Sequence, residues 1–366
     1  MPGVYISYPF CAQKCTYCNF ASGVFPRELE TGYVEALVSE MKAHSWNLQP
    51  ETVYLGGGTP SGMASGDLDR ILDAIPGRGQ WQEATIEVAP GTVTDVLASA
   101  WARAGINRVS LGAQSFVQRE LARTGRKHTA EIVEREIALL RADGLVNINI
   151  DLIAGLPGQT RASWRESLER IERLQPPHVS VYMLEVDEDS RLGSEVLLNG
   201  KRYGAPDVPS DELTVELYET AVAELARMGI ERYEISNFAR PGFESLHNLK
   251  YWRLEPYIGF GADAHSFDGV TRSQNIESPA EYIAKLLGGE SACIGETLAN
   301  ASEERFFVGL RLTQGVLLQP EEWRKFEQPI SRFLADGLLA RDHERLWLTD
   351  RGVLLSNEVF AEFIMS

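Results

Sequence analysis

The sequence predicts an α/β fold, an incomplete barrel of about six parallel strands followed by a small, mainly helical, winged-helix-like domain. Three observations carry that prediction. A unit recurs in which a helix-like stretch ends in glycine, one hydrophobic residue follows, and a β-branched run leads into a loop. It appears at Gly105-Ile106 before residues 108–112, at Gly144-Leu145 before 147–151, and at Gly229-Ile230 before 232–235. Glycine just past a helix end permits the left-handed cap conformation that stops the helix. The stretches between these runs are amphipathic at helical spacing. After about residue 295 the strand–helix alternation gives way to helix-like segments with one short strand pair.

Strand candidates lie near 4–8, 52–56, 84–88, 108–112, 147–153 and 178–184. Val34, Leu37, Val38 and Met41 share one helical face, as do Ile132, Ile137 and Leu140 behind the capping residue Thr129. Trp164, Leu168 and Ile171 repeat the pattern after Thr160, and Pro176-Pro177 ends that helix. Near the C-terminus, Phe306, Phe307, Leu310 and Leu312 read as helical, as does 354–364, with a short strand at 346–349. The expected division is a barrel over 1–235, a connecting segment over 236–294 and a C-terminal domain over 295–366.

Composition narrows the function. The chain has 366 residues, 44% hydrophobic content and a net charge of −17. A chain this acidic lacks the basic face that nucleic-acid binding requires, so nucleic acid is not an expected partner. No apolar run reaches transmembrane length, and the first residues do not read as a signal peptide, so a cytoplasmic protein is expected. Three of the four cysteines fall within eight residues, a spacing that points to metal or redox chemistry and not to disulfides.

Cys11, Cys15 and Cys18 follow the first strand directly. Thiolates are the standard ligands of iron–sulfur clusters. Three on one loop hold three irons of a cubane and leave the fourth open to a non-protein ligand such as S-adenosylmethionine (SAM). In that chemistry an electron from the cluster breaks the sulfonium carbon–sulfur bond and releases a 5′-deoxyadenosyl radical. The competing readings are a zinc site or three buried thiols, but structural zinc takes four protein ligands and no fourth lies nearby. Gly56, Gly57 and Gly58, before Thr59 and Pro60, end the second strand. Such a run is either a tight turn or a backbone cradle for the amino and carboxylate ends of a ligand. Glu87, Gln114 and Asp151 fall at or just beyond the ends of the third, fourth and fifth strands, where polar groups face a barrel mouth. Glu87 suits a ribose hydroxyl and Arg126 a carboxylate; taken singly, each reads equally well as a solvated or capping residue.

His247, Asn248, Tyr251 and Trp252 place an imidazole, an amide and two aromatic rings within six residues, with Arg240, Lys250 and Arg253 nearby. Two readings stay open. The segment meets a flat aromatic ligand, with the histidine on iron and the cations on carboxylates, or it lines the core around a satisfied histidine.

These segments together resemble the coproporphyrinogen dehydrogenase-like branch of the radical SAM proteins, and most closely its HemW heme chaperones. The resemblance runs over nearly the whole length. It is carried by the cysteine triplet, by 56–60, 112–116, 151–160, 233–241, 247–252 and 259–266, and by 348–352. It implies a radical SAM barrel with a [4Fe–4S] cluster on Cys11, Cys15 and Cys18. It implies SAM contacts at Tyr5, Tyr17, Gly57, Gly58, Thr59, Glu87, Gln114, Arg126 and Asp151. It also favours heme at His247, Asn248, Tyr251 and Trp252. Phe20 stands where the dehydrogenases carry a further cysteine, and the chain starts almost at its first strand, where they have a long arm. One residue departs from the family pattern: Ser7 occupies the place of a histidine before the first cysteine.

The expected function is therefore a heme chaperone. Its expected partners are heme, a membrane respiratory apoprotein that accepts it, an electron donor for the cluster and a second copy in a homodimer. The rival is an oxygen-independent coproporphyrinogen III dehydrogenase, an enzyme of porphyrin biosynthesis. A radical SAM enzyme on another substrate is a third reading.

Overall fold

The computed structural model describes residues 1–364. Strands β1 (Gly3–Tyr8), β2 (Thr52–Gly57), β3 (Glu83–Val88), β4 (Arg108–Gln114), β5 (Asn147–Ala154) and β6 (His178–Met183) are all parallel and stand side by side in chain order. Their crossovers carry α1 (Arg27–Ala43), α2 (Ser65–Asp73), α3 (Asp95–Ala104), α4 (Gln118–Arg123), α5 (Ala130–Ala142) and α6 (Arg161–Leu174). Thr94, Thr129 and Thr160 each accept an N-terminal backbone N–H and cap α3, α5 and α6. Such caps contribute about 1 kcal/mol each. Gly105, Gly144 and Gly229 take φ of 94°, 82° and 73°, the left-handed region that closes the helices before them.

The strands separate two chemistries by their twofold alternation. Val53 and Leu55, Ala84 and Ile86, Val109 and Leu111, Ile148 and Ile150, and Val179 and Val181 are buried and belong to the apolar core. The residues between them are polar: Thr52 and Tyr54, Thr85 and Glu87, Ser110, Asn149 and Asp151, Ser180 and Tyr182. Alternation puts them on one face, and hydrogen bonds link several of them. Ser110 Oγ donates to Asp151 Oδ2 (3.2 Å), Asn149 Nδ2 to Ser110 Oγ (2.8 Å), and Ser180 Oγ to Asn149 Oδ1 (3.2 Å). The barrel is thus polar within and apolar toward its helices.

Beyond β6 come α7 (Arg191–Leu197), α8 (Asp211–Arg227), β7 (Glu231–Arg232), β8 (Asn237–Ala239) and α9 (Leu246–Trp252). They are followed by β9 (Tyr257–Phe260), β10 (His265–Phe267), β11 (Thr271–Asn275), α10 (Pro279–Leu287) and β12 (Cys293–Leu298). Residues 236–294, read from the sequence as a connecting segment, extend the sheet at both edges. β8 pairs antiparallel with β6, and β9 pairs parallel with β1. The result is one sheet of twelve strands in the order β12-β11-β10-β9-β1-β2-β3-β4-β5-β6-β8-β7. No helix among the described residues is long and apolar enough to cross a membrane.

The C-terminal domain comprises α11 (Ala301–Gly309), β13 (Val316–Leu317), α12 (Pro320–Ala335), β14 (Leu339–Asp342), β15 (Arg345–Leu348), α13 (Asp350–Leu354) and α14 (Ser356–Ala361). Its three strands form a separate sheet, and Phe306, Phe326 and Phe363 stack within 4.7–5.4 Å of one another in its core. Arg232 joins it to the barrel through Asp350 (2.6 Å).

Candidate cofactor site at the barrel mouth

The loops after β1 and β2 lie against each other at the carboxyl ends of the strands. Gly58 N donates to Tyr8 O and Thr59 N to Phe10 O, both at 2.8 Å. This seats the glycine run beside the cysteine loop. A Cβ at Gly58 would stand 2.6 Å from Phe10 O, so only glycine permits the approach. Gly57 has φ 106°, and its N–H donates to Glu87 Oε2 at 3.1 Å.

A cavity of about 470 Å³ opens here. Cys11, Cys15, Cys18, Tyr17, Gly57, Gly58, Thr59, Glu87, Gln114, Arg126 and Asp151 all line it. All three thiols are half-buried and free. Burial pushes the Cys11 thiol up, against hydrogen bonds from Thr59 and Ser22, and the neighbouring Cys18 and Cys15 raise it further. Thiolates that act on one another in this way repel, and a cationic cluster would relieve that repulsion. Tyr5, by contrast, sits below the cavity, its ring 6.1 Å from that of Tyr54.

The far wall holds two carboxyls. Tyr54 Oη donates to Glu87 Oε1 (2.9 Å), yet burial, reinforced by Asp151, pushes Glu87 up to about 7. Burial also raises Asp151, against donors from Ser180, Asn149 and Ser110. Arg126 bridges the walls, donating from Nε and Nη2 to Tyr17 Oη (3.1 and 2.9 Å) and from Nη1 to Gly112 O (2.8 Å). Gln114 takes the left-handed φ of 66°, and its buried Oε1 has no hydrogen-bond partner among the described residues. An orphaned buried acceptor at a cavity wall is a place for a ligand donor. The thiol triplet, the glycine cradle and this acceptor therefore fit a cluster with a polar, hydroxyl-bearing ligand beside it. Ser7, at the position of the family histidine, is buried under the same cradle, 3.6 Å from where a Gly57 Cβ would be.

Tyr54, Ser110 and Tyr182 also line the cavity, and none belongs to a motif. Their signal is the alternation itself, since each falls at an inward, polar strand position.

The His247 segment forms α9 and lies outside this cavity. His247 is fully buried: Thr52 Oγ1 meets its Nδ1 and Tyr251 Oη its Nε2, both at 2.8 Å. Its ring stacks on Tyr54 at 5.2 Å, and burial, with Lys250 nearby, lowers it to about 3. Both ring nitrogens are occupied, so in this conformation neither can reach an iron. Lys250 is buried between Glu51 (2.6 Å) and Glu255 (3.0 Å), Arg240 donates to Gln175 (2.7 Å), and Arg311 covers the Trp252 ring at 4.3 Å. Asn248 is half-buried and Arg253 exposed. In this structure the segment packs into the core beside Tyr54, with His247 and Lys250 buried.

A partial parallel barrel with three thiols on the loop after its first strand defines a radical SAM protein. The sequence matches the Radical SAM superfamily over residues 5–171 and the HemN C-terminal domain over residues 297–355. The solved structure of the coproporphyrinogen III oxidase HemN from Escherichia coli shares the fold, with a TM-score of 0.84 at 21% identity, covering 99% of this chain and 90% of that one. The heme chaperone HemW of Lactococcus lactis is 35% identical, over 99% of this chain and 97% of its own length. HemW of Bacillus subtilis is 33% identical, over 100% and 99%. This chain belongs to the HemW heme-chaperone family.

Proposed function

We propose that this chain is a heme carrier of the cytoplasm. On this reading it binds heme, holds a [4Fe–4S] cluster on Cys11, Cys15 and Cys18 with SAM beside it, and passes heme to a membrane respiratory apoprotein. The observation that carries the cluster and SAM half is the single cavity into which the three thiols, the glycine cradle and the Glu87–Asp151 pair all open. Heme enters through the relatives, which are named as heme chaperones over essentially the full chain.

Within the cavity each group has a distinct task. The thiolates hold the cluster, and Gly57, Gly58 and Thr59 bring backbone close to the amino-acid end of SAM. Glu87 and Asp151 accept from sugar hydroxyls, and Gln114 offers its free oxygen. Arg126, fixed on Tyr17, balances the thiolates and the ligand carboxylate. Tyr5 acts from below, through Tyr54. When bound, cluster and SAM supply one-electron chemistry on demand. The half-buried cysteine loop is where an electron donor would approach. Phe20, 67% exposed at the rim, occupies the place of the dehydrogenase cysteine and speaks against that rival activity.

The test is one anaerobically reconstituted sample given both ligands. Heme retention without decarboxylation of coproporphyrinogen is the expected result. Conversion of coproporphyrinogen to protoporphyrinogen with no heme affinity would replace the carrier reading with the dehydrogenase.

A further inference from the structure

The chain has six histidines, and their surroundings separate them sharply. His128, His178 and His247 are buried and hydrogen-bonded, to Ala113 O, to Asn149 with Tyr233, and to Thr52 with Tyr251. His265 and His343 are exposed and line none of the larger cavities. His44 alone is half-buried and lines a cavity; its backbone N–H donates to Glu40 O (3.1 Å), but its imidazole makes no hydrogen bond among the described residues. That cavity, of about 980 Å³, is larger than the one at the barrel mouth and lies elsewhere on the molecule. It sits between the C-terminal end of α1 and the sheet extension β9–β12. Its size is at the upper end for sites that enclose a small ligand, roughly 300–1,000 Å³.

The walls suit a flat apolar ligand. Trp46 and Phe260 stand 5.6 Å apart, and the His44 ring meets both edge-on, at 4.9 and 5.5 Å. The indole is fixed by Trp46 Nε1 donating to Met41 O at 3.0 Å. Across the sheet the lining is small, with Gly259, Ser266 and Ser273. The fourth cysteine, Cys293, remote in sequence from the cluster triplet, lines the same cavity as a free thiol. An imidazole with no hydrogen bond of its own and a thiol that donates only to Gly295 O (3.5 Å), two side-chain types that ligate heme iron, thus line one aromatic-walled hollow.

We propose that heme binds in the cavity between α1 and β9–β12, with the His44 imidazole as ligand to its iron. The inference rests on the heme-carrier reading and moves its cargo site away from the His247 segment. Burial lowers His44, which keeps the imidazole neutral and its lone pair available. Among the described residues no lysine or arginine lines the cavity, whereas Glu40, Asp268, Glu290 and Glu296 do. The propionates therefore face water at the open mouth, and the macrocycle and iron supply the attachment. A cargo held without a carboxylate clamp is one that a carrier can release.

The test titrates full-length reconstituted protein with hemin and follows the Soret band, in wild type, His44→Phe, Cys293→Ala and His247→Phe. The phenyl ring keeps an aromatic group against Trp46 and Phe260 while removing the lone pair, so folding is preserved. His44→Phe is expected to shift the Soret band and weaken binding at least tenfold, with the cluster absorption unchanged. His247→Phe is expected to leave the heme spectrum as it is. Affinity should not fall from low to high salt, because no ion pair holds the propionates and salt screens their repulsion from the lining carboxylates. Wild-type heme binding that His44→Phe leaves intact would overturn the assignment alone. A wild type that binds metal-free protoporphyrin as tightly as hemin would overturn the iron ligand. A wild type with no heme affinity would take down the carrier reading as well.

Discussion

The barrel mouth and helix α9 are both built from the polar and aromatic residues that ligand sites use, yet they stand in opposite states. At the mouth, Gln114 Oε1 has no hydrogen-bond partner among the described residues, burial pushes Glu87 up to about 7, and three thiols share one loop. On α9, His247 has both nitrogens bonded, Lys250 has two carboxylates, and Arg311 covers Trp252. The two regions touch, since the Tyr54 ring stacks on His247 while its hydroxyl donates to Glu87. The difference teaches that residue type nominates a site, whereas unmet bonding capacity beside open space makes one. On that criterion α9 is the support beneath the mouth, fixing Tyr54 and through it Glu87.

The most severe way to break this comparison is to remove a thiol. Cys15→Ala should abolish the cluster, taking iron from about four atoms per chain to near none, while Cys293→Ala keeps it. Iron analysis after anaerobic reconstitution decides it, and a full cluster in Cys15→Ala would unseat the ligand assignment. Next is Gly58→Val. A Cβ there meets Phe10 O at 2.6 Å and Pro9 C at 2.8 Å, so the two loops must part. SAM affinity by calorimetry should fall by about 100-fold or more, of the order of 3 kcal/mol. Unchanged affinity would place SAM elsewhere. Third, His247→Ala strands Thr52 and Tyr251 and empties a packed position. It should cost about 2–4 kcal/mol in urea unfolding. Unaltered stability with lost heme absorption would make α9 a ligand site after all.

How much of this was legible differs by region for physical reasons. All six parallel strands are legible as short apolar runs, and β4 and β5 also stand behind the capping glycines Gly105 and Gly144, because a strand covered by helices writes a dense apolar signal on alternate residues. The other half of that alternation, Thr52 through Tyr182, is equally present in the sequence. It announces a polar barrel interior, and it would have exposed Tyr54, Ser110 and Tyr182. The sheet extension is harder to read. β11 (Thr271–Asn275) is polar throughout, and β12 (Cys293–Leu298) is exposed at every position after Cys293. Neither has an apolar face, and both are placed by pairing with strands remote in sequence. His44 has no motif, and its standing comes only from the cavity that α1 and the extension enclose.

The smallest expected effect is also the most discriminating, because it turns on one proton. Glu87 is raised to about 7, chiefly by burial, so at pH 6 most of it is protonated. A protonated carboxyl is a weaker acceptor for a ribose hydroxyl. If SAM binds only the ionised form, its affinity should be about tenfold lower at pH 6 than above pH 8. The amino group of SAM titrates in the same range, so wild type alone cannot isolate Glu87. Glu87→Gln keeps an acceptor oxygen and removes the titration, and the ligand's own proton cancels in the difference between the two proteins. That difference should be constant well above pH 7 and shrink below it, as wild type loses its carboxylate. Stability has a matching sign. Between the ordinary carboxylate range and about 7 the folded chain holds a proton that the unfolded chain has lost, so stability falls as pH rises. Glu87→Gln should remove that fall. Parallel pH profiles for the two proteins, in binding and in unfolding alike, would show that Glu87 ionises freely and that the mouth is as satisfied as α9.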